Sequence, residues 1–310
     1  MKKKWLAGIL AVGMALSLAA CGGSSSDSSS SSGSSSSSGT SSESSASSSG
    51  TESTVSGSTA SAGDLELVED GKLHMATNAS FPPYESTTDD GGYEGIDIDI
   101  ATKIADDLGL ELVVDDMDFS SVIVSVQQGK SDIAMAGLTV SEERKKNLNF
   151  TDSYAKGIQA IIVPEDSDIE SVDDLNGKMI GCQEGTTGYI YASDTEENGG
   201  FGEDHVIAYQ DGGTAVNALK QGKVDAVIID NEPAKAYVAA NTGLKILSTN
   251  YVEEEYAIGI AKENTSLYEA VNAEVKKLQD DGTIQSIIDK YINSDSSSED
   301  VSSASSSSAA

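Results

Sequence analysis

The chain has 310 residues, 38% of them hydrophobic, and carries 51 acidic residues against 19 lysines and arginines for a formal charge of −32. A surface so acidic repels polyanions, which excludes nucleic acid as a partner. Two histidines and two cysteines are too few for a His-based metal cluster or a disulfide framework.

Lys2, Lys3 and Lys4 precede the apolar stretch Trp5 to Leu18, and Leu18-Ala19-Ala20 stands directly before Cys21. A basic start, a short apolar run and small residues at a cleavage point predict an export signal over residues 1–20, the alternative being an uncleaved anchor. The run is shorter than the about 20 residues that a spanning helix needs. Leu-Ala-Ala-Cys resembles a bacterial lipobox. That resemblance implies cleavage before Cys21 and attachment of diacylglyceryl and palmitate groups there. The chain would then sit on the outer face of the cell membrane of a bacterium of Gram-positive type, on more than one acyl chain, as stable anchoring requires. Losing residues 1–20 removes three lysines and no acid, so the charge becomes −35, which suits a soluble tethered protein. Residues 22–63 are Ser, Gly, Thr and Ala with a few acids and one large apolar residue, Val55. A Gly/Ser-rich coil of that length reaches roughly 30 to 40 Å, so residues 21–63 read as a lipidated cysteine and its tether.

The foldable part is residues 64–293, enough for one large domain or two lobes. A strand is predicted at 73–77, and then Ile100, Ile104 and Leu108 recur at helical spacing. Next come a strand at 110–114, a helix at 120–128 and a strand at 132–136. A second series begins after Pro164, with strands at 179–182, 206–209, 226–229 and 245–247. Helices near 187–192, 215–221 and 233–240 alternate with them. A further strand is predicted at 257–261. The spacing of Ser266 and Glu269 then suits a capping box, a helix runs to a Gly282 stop, and a last short helix spans 284–291. Residues 294–310 repeat the Ser-rich composition and read as a disordered tail. The alternation predicts the α/β class, with parallel strands covered by helices. Cys182, in an apolar run, reads as a small buried hydrophobe.

Ligands of open α/β sheets bind beyond the carboxyl ends of the strands. Asn78 and Phe81 follow the first predicted strand, Asp118 and Phe119 the second, and Gly137 and Thr139 the third. Arg144 comes after Ser141, which is placed to cap a short helical turn. It would either fork onto a ligand carboxylate or pair with Glu142 or Glu143. Gly185-Thr186-Thr187-Gly188 stands between a strand and a helix, either as an anion-holding turn or as an ordinary helix start. Asp230 ends a buried-looking run and would pair with an ammonium group, cap the next helix, or do both. Phe81 and Phe119 either wall a pocket or pack in the core. Together Arg144 with the Gly185 turn and Asp230 make a receptor with two poles, suited to an α-amino acid.

Gly95-Ile96-Asp97-Ile98-Asp99-Ile100 is similar to the signature of family 3 extracellular solute-binding proteins, and the likeness continues along the folded part. Phe81-Pro82-Pro83-Tyr84, Asp118-Phe119, Gly137-Leu138-Thr139, Glu143-Arg144-Lys145, Phe150-Thr151-Asp152, Gly185-Thr186-Thr187-Gly188 and the run from Asp225 to Asp230 stand in the family's order and spacing. The resemblance implies a two-lobed periplasmic-binding-protein-like fold of type II, each lobe a βα sandwich. Lobe one would be 64–156 plus 256–293 and lobe two 157–255, with hinge crossings near 156–159 and 253–256. It further implies a monomer that binds a polar amino acid and presents it to an ABC-transporter permease and its ATPase subunit, with no cofactor. Arg144 and the Thr187 backbone would hold the α-carboxylate. Asp230 and the Gly137 carbonyl would hold the α-ammonium, Thr139 would bond the ligand main chain, and Phe81 and Phe119 would enclose its side chain. Asn78, where relatives carry a carboxylate, would favour a neutral side chain. Gln183 and Glu184 are further candidates that the sequence does not orient.

Two other functions fit the same fold: a sensor subunit, and an enzyme of the dehydratase kind known on this scaffold. His74 and His205 lie on separate predicted strands in different lobes, which gives a histidine triad no support. Gly129-Lys130-Ser131 resembles the end of a phosphate loop, but Val124 stands where its first glycine belongs.

Overall fold

The computed structural model of the protein describes residues 65–248 and 251–293. The export signal, Cys21, the tether and the Ser-rich tail lie outside the described residues.

The first lobe opens with β1 (Lys72–Thr77), whose Leu73, Met75, Ala76 and Thr77 are all buried, the pattern of a strand covered on both faces. Residues 80–94 then form a small antiparallel sheet of β2 (Ser80–Phe81), β3 (Glu85–Thr87) and β4 (Tyr93–Glu94), which the periodicity did not reveal. Strands of two or three residues contain too few alternations to register as a pattern. α1 (Ile96–Leu108) buries Ile96, Ile100, Ala101 and Ile104 on one face and ends at Gly109. It is followed by β5 (Glu111–Asp116), α2 (Phe119–Gln127), β6 (Ile133–Ala134), α3 (Glu142–Lys145) and β7 (Leu148–Phe150). β5 and β6 flank β1 and run parallel to it.

β8 (Ala155–Pro164) is ten residues long and leads from the first lobe into the second. The sequence reading recognised only its start, as a crossing, and began the second series too late. Most of residues 157–163 are buried, so β8 lies within a sheet as well as between lobes. β9 (Ile180–Gln183), α4 (Thr187–Ser193), β10 (Val206–Tyr209), α5 (Gly212–Lys220), β11 (Ala226–Asp230), α6 (Asn231–Ala240) and β12 (Leu244–Ile246) complete the second lobe. Its sheet runs β10-β9-β11-β8-β12. β9 is parallel to both β10 and β11, whereas β8 pairs antiparallel with β11 and β12. Cys182 is fully buried here, and burial pushes its thiol up to about 12.

The chain returns through β13 (Glu253–Tyr256), which pairs antiparallel with β8 so that Glu254 faces Gly157 and Tyr256 faces Ala155. The two crossings therefore form one hydrogen-bonded ribbon. β14 (Gly259–Ala261) then inserts between β6 and β7, antiparallel to both. The expected parallel pairing thus holds at the centre of each sheet and fails at β7, β8, β12 and β14. α7 (Thr265–Asp280) and α8 (Thr283–Ile288) close the first lobe.

Two local expectations are corrected. The N-cap of α7 is Asn264, not Ser266: its side chain accepts from the Leu267 N–H at 3.2 Å and donates to the Glu66 carbonyl, tying the helix start to the lobe edge. His205 belongs to a 3-10 turn, Glu203–His205, just ahead of β10, and not to a strand.

Candidate functional site

The carboxyl ends of β1, β5, β6, β9 and β11 converge between the lobes. All eight candidate residues line one cavity there: Asn78, Phe81, Phe119, Gly137 and Thr139, with Arg144, Thr187 and Asp230. The same cavity is lined by Glu85, Ala136, Gln183 and Thr186. Glu184, offered with Gln183 as a candidate, is exposed, because successive residues leaving β9 point to opposite sides.

One pole is built by a helix cap. Ser141 accepts from the Arg144 N–H at 3.2 Å, which starts α3 and fixes Arg144 in its first turn. The guanidinium then turns inward, 7% exposed, and donates to the carbonyls of Thr139 at 2.9 Å and Gly185 at 3.1 Å. Its Cζ stands 5.6 Å from the Phe119 ring centroid, within cation–π range. Glu142 and Glu143 pair with Lys145 and Lys146 instead, so neither takes the Arg144 charge. Burial acts against that charge and lowers the guanidinium's pKa, while Glu254 acts the other way. Thr187, at the start of α4, brings its hydroxyl to 3.5 Å from that of Thr139 across the cleft.

The opposite pole surrounds Asp230. It occupies the cap position of α6 but makes no side-chain cap bond. Its carboxylate accepts instead from the Tyr256 hydroxyl and from Gln159 Nε2, the latter at 2.9 Å. Gln159 Nε2 also donates to Glu254 at 3.0 Å, and Glu254 accepts from the Thr139 hydroxyl at 3.0 Å. Burial first, and the Glu254 carboxylate second, raise Asp230 to about 7. Arg144 and Asp230 are thus both presented to the cleft, with no oppositely charged group bonded to either among the described residues.

A third region is neutral and amide-lined. Asn78 donates to the Met117 carbonyl at 2.8 Å, while its Oδ1 accepts from Ser80 at 2.7 Å and from Gln183 Nε2 at 2.8 Å. That last bond joins the two lobes. Gln210 adds a second bridge by donating to Asp118 at 2.6 Å. Phe81 is buried, with its ring centroid 5.7 Å from that of Tyr84. The edge of the Phe81 ring packs on Gly137, where a Cβ would sit 2.6 Å from it, and Gly137 has φ 53. Glycine satisfies both demands at once.

Sequence reasoning missed Glu85, Gln159, Glu254 and Tyr256. Glu254 lies in the acidic run 253–255, which looks like a solvated patch. Period-two burial along β13 hides only Glu254 and Tyr256, and that alternation was the available signal.

Comparison with known proteins agrees in one direction. The sequence pattern of the bacterial extracellular solute-binding proteins, family 3, matches residues 73–294. The chain is 30% identical to the L-cystine-binding protein TcyJ of Escherichia coli K12 over 242 residues, 77% of this chain and 89% of that one. It is 27% identical to the arginine-binding extracellular protein ArtP of Bacillus subtilis, across 93% of this chain and 98% of that one. Among solved structures it is similar to a mutant of ArgBP from T. maritima, with TM-score 0.67, 37% identity and coverage of 72% of this chain and 96% of that one. An ancestral arginine-binding protein bound to glutamine gives the same TM-score of 0.67 and identity of 37%, covering 72% of this chain and 99% of that one.

Proposed function

Because this chain belongs to the bacterial extracellular solute-binding proteins, family 3, we propose that it binds a polar amino acid between its lobes and delivers it to the permease of an ABC importer. The family is one of solute carriers and not of enzymes, and its fold is the two-lobed type II binding-protein fold. The observation that carries the ligand class is the pair of opposite charges in one cavity. Among the described residues the Arg144 guanidinium donates to neutral carbonyls, and the Asp230 carboxylate accepts from a phenol and an amide. A zwitterion supplies the missing anion at one pole and the missing cation at the other.

In this reading Arg144 and the Thr187 N–H hold the α-carboxylate. Asp230, the Gly137 carbonyl and the Thr139 hydroxyl hold the α-ammonium, and Phe81 and Phe119 flank the side chain. Asn78 and Gln183 present amides, so the favoured side chain is polar and uncharged. The lobes divide as 64–156 with 256–293, and 157–255, and the β8–β13 ribbon is the hinge. Closure is driven by a ligand that touches both lobes, since its contacts are incomplete in the open form. The protein works as a monomer, exported and held on the outer face of a Gram-positive-type membrane through lipidated Cys21, with a permease and its ATPase subunit as partners.

Arg144→Ala and Asp230→Ala are the direct test. Each leaves one buried ligand charge unpaired, a loss of about 2–5 kcal/mol, so calorimetric affinity for the best amino acid should fall at least about tenfold. Unchanged affinity in either variant would refute the two-pole site.

A further inference from the structure

Glu85 is fully buried in the wall of the ligand cavity, yet neither of its carboxyl oxygens has a hydrogen-bond donor. Asp97, in the first turn of α1, is also fully buried. Its Oδ2 accepts from the Gly137 N–H and from the Tyr154 hydroxyl, both at 2.8 Å, while its Oδ1 has no donor. The Asp97 N–H donates at 2.9 Å to the carbonyl of Tyr84, the residue before Glu85, so the two carboxyl groups are neighbours and each acts on the other. The groups whose charges act on Glu85 or that feel its charge come from five other elements and its own: Asp97 on α1, Asp116 at the end of β5, Asp230 on β11, Tyr237 on α6, Tyr154 before β8, and Tyr84 beside it. None is a cation.

Two ionised carboxylates in buried contact, without a cation or a shared donor, would repel each other and forfeit their hydration. A single proton between Glu85 and Asp97 Oδ1 removes one of the two charges and turns two of the three donorless oxygens into a hydrogen-bonded pair. We propose that Glu85 and Asp97 form a carboxylic acid–carboxylate pair with the proton on Glu85, and that this pair is the positioning device that sets Gly137 against the ligand's ammonium end. The positioning half rests on the amino-acid reading of the site.

The chain of contacts is short. In the proposed pair Glu85 donates to Asp97 Oδ1, while Asp97 Oδ2 holds the N–H of Gly137, which lines the cleft against the Phe81 ring. The direction of the titration agrees. Burial, and next the Asp97 charge, hold Glu85 well above the usual carboxylate range, whereas burial raises Asp97 only to about 6 against the opposing bonds from Gly137, Tyr154 and Glu85. A neutral Glu85 also removes one of the two carboxylates that line the cavity among the described residues, the other being Asp230, and so leaves less to attract a cationic side chain.

The test uses Glu85→Gln, whose amide donates as the protonated acid does, beside Glu85→Ala, which leaves Asp97 Oδ1 bare. Infrared spectra of the ligand-free protein at about pH 8.5, where Asp230 is largely ionised, should show a protonated-carboxyl C=O band that Glu85→Gln abolishes. The Gly137 amide proton, followed by NMR, should keep its hydrogen-bonded shift in Glu85→Gln and move in Glu85→Ala. Amino-acid affinity should stay within about threefold in Glu85→Gln and fall about tenfold in Glu85→Ala, as for a buried acceptor left unpaired. A wild-type spectrum without that band, or one that Glu85→Gln leaves unchanged, would overturn the pair. A Gly137 signal indifferent to both substitutions would overturn the positioning role. The infrared and NMR readings need no ligand, so a failure of the amino-acid assignment would be seen separately, as absent binding in the wild type.

Discussion

At the residue scale, Asp230 shows how one side chain with two plausible uses is directed to one of them. Its position before α6 is that of a cap, but the hydroxyl of Tyr256 and the amide of Gln159 draw the carboxylate into the cleft. Neither partner carries a charge, so burial and Glu254 raise it to about 7. An ammonium group needs the ionised form, and binding therefore expels whatever proton Asp230 holds. The sign follows: affinity should be level above pH 7 and fall as the pH drops below it, by at most about tenfold per unit. Calorimetry from pH 8 to pH 5.5 would read this directly, and a flat profile would contradict the assignment. Most of the candidates that line the cavity could be read because they follow strand ends, where side chains leave the sheet, whereas Arg144 and Thr187 stand in short helices. Arg144 was left between two uses, since its neighbours Glu142 and Glu143 are acceptable partners on sequence spacing alone. Only the fold shows those acids bonded to Lys145 and Lys146.

Among the elements, the β8–β13 ribbon joins the lobes and also carries the residues behind the ammonium pole. Gln159 stands on β8, and Glu254 and Tyr256 on β13, so the hinge and the site share backbone. The Tyr256 ring packs over Gly157 on the paired strand, leaving no room for a Cβ. Gly157→Ala should displace that ring and its hydroxyl from Asp230. The variant is expected to bind about tenfold more weakly, as for a lost hydrogen bond to a charged group. Unaltered affinity in a folded Gly157→Ala protein would show that Tyr256 is not needed to set the carboxylate. The longer helices and inner strands could be read from apolar periodicity, because their buried faces repeat often enough. β2, β3 and β4 were too short for that. The full length of β8 was hidden because a strand buried on both faces has no alternation to detect.

Viewed whole, the molecule joins its two lobes through the Asn78–Gln183 and Asp118–Gln210 bonds. Closure buries Asp230 and Glu254 near one another, linked through Gln159 Nε2, and neither acid is bonded to a cation among the described residues. That opposes closure until a ligand arrives, and a ligand can shift the equilibrium only through contacts the open form lacks. Glu254→Gln retains an acceptor for Thr139 and Gln159 while removing one charge. Small-angle scattering should show the ligand-free variant more compact than the ligand-free wild type, nearer the ligand-bound size. Equal ligand-free dimensions would mean that these two acids do not govern closure.

The central claim is that both ends of an α-amino acid are recognised, and a thermal-shift screen tests it most directly. The chain is heated with each of the twenty amino acids and cystine, and then with analogues of the best binder that lack either the carboxylate or the ammonium. A ligand that binds only the folded state at about 100 times its Kd adds about 2.7 kcal/mol of stability. The account predicts a clear rise in Tm for an uncharged polar amino acid and little or none for either truncated analogue. No rise with any amino acid, or an equal rise with an analogue missing one pole, would contradict it.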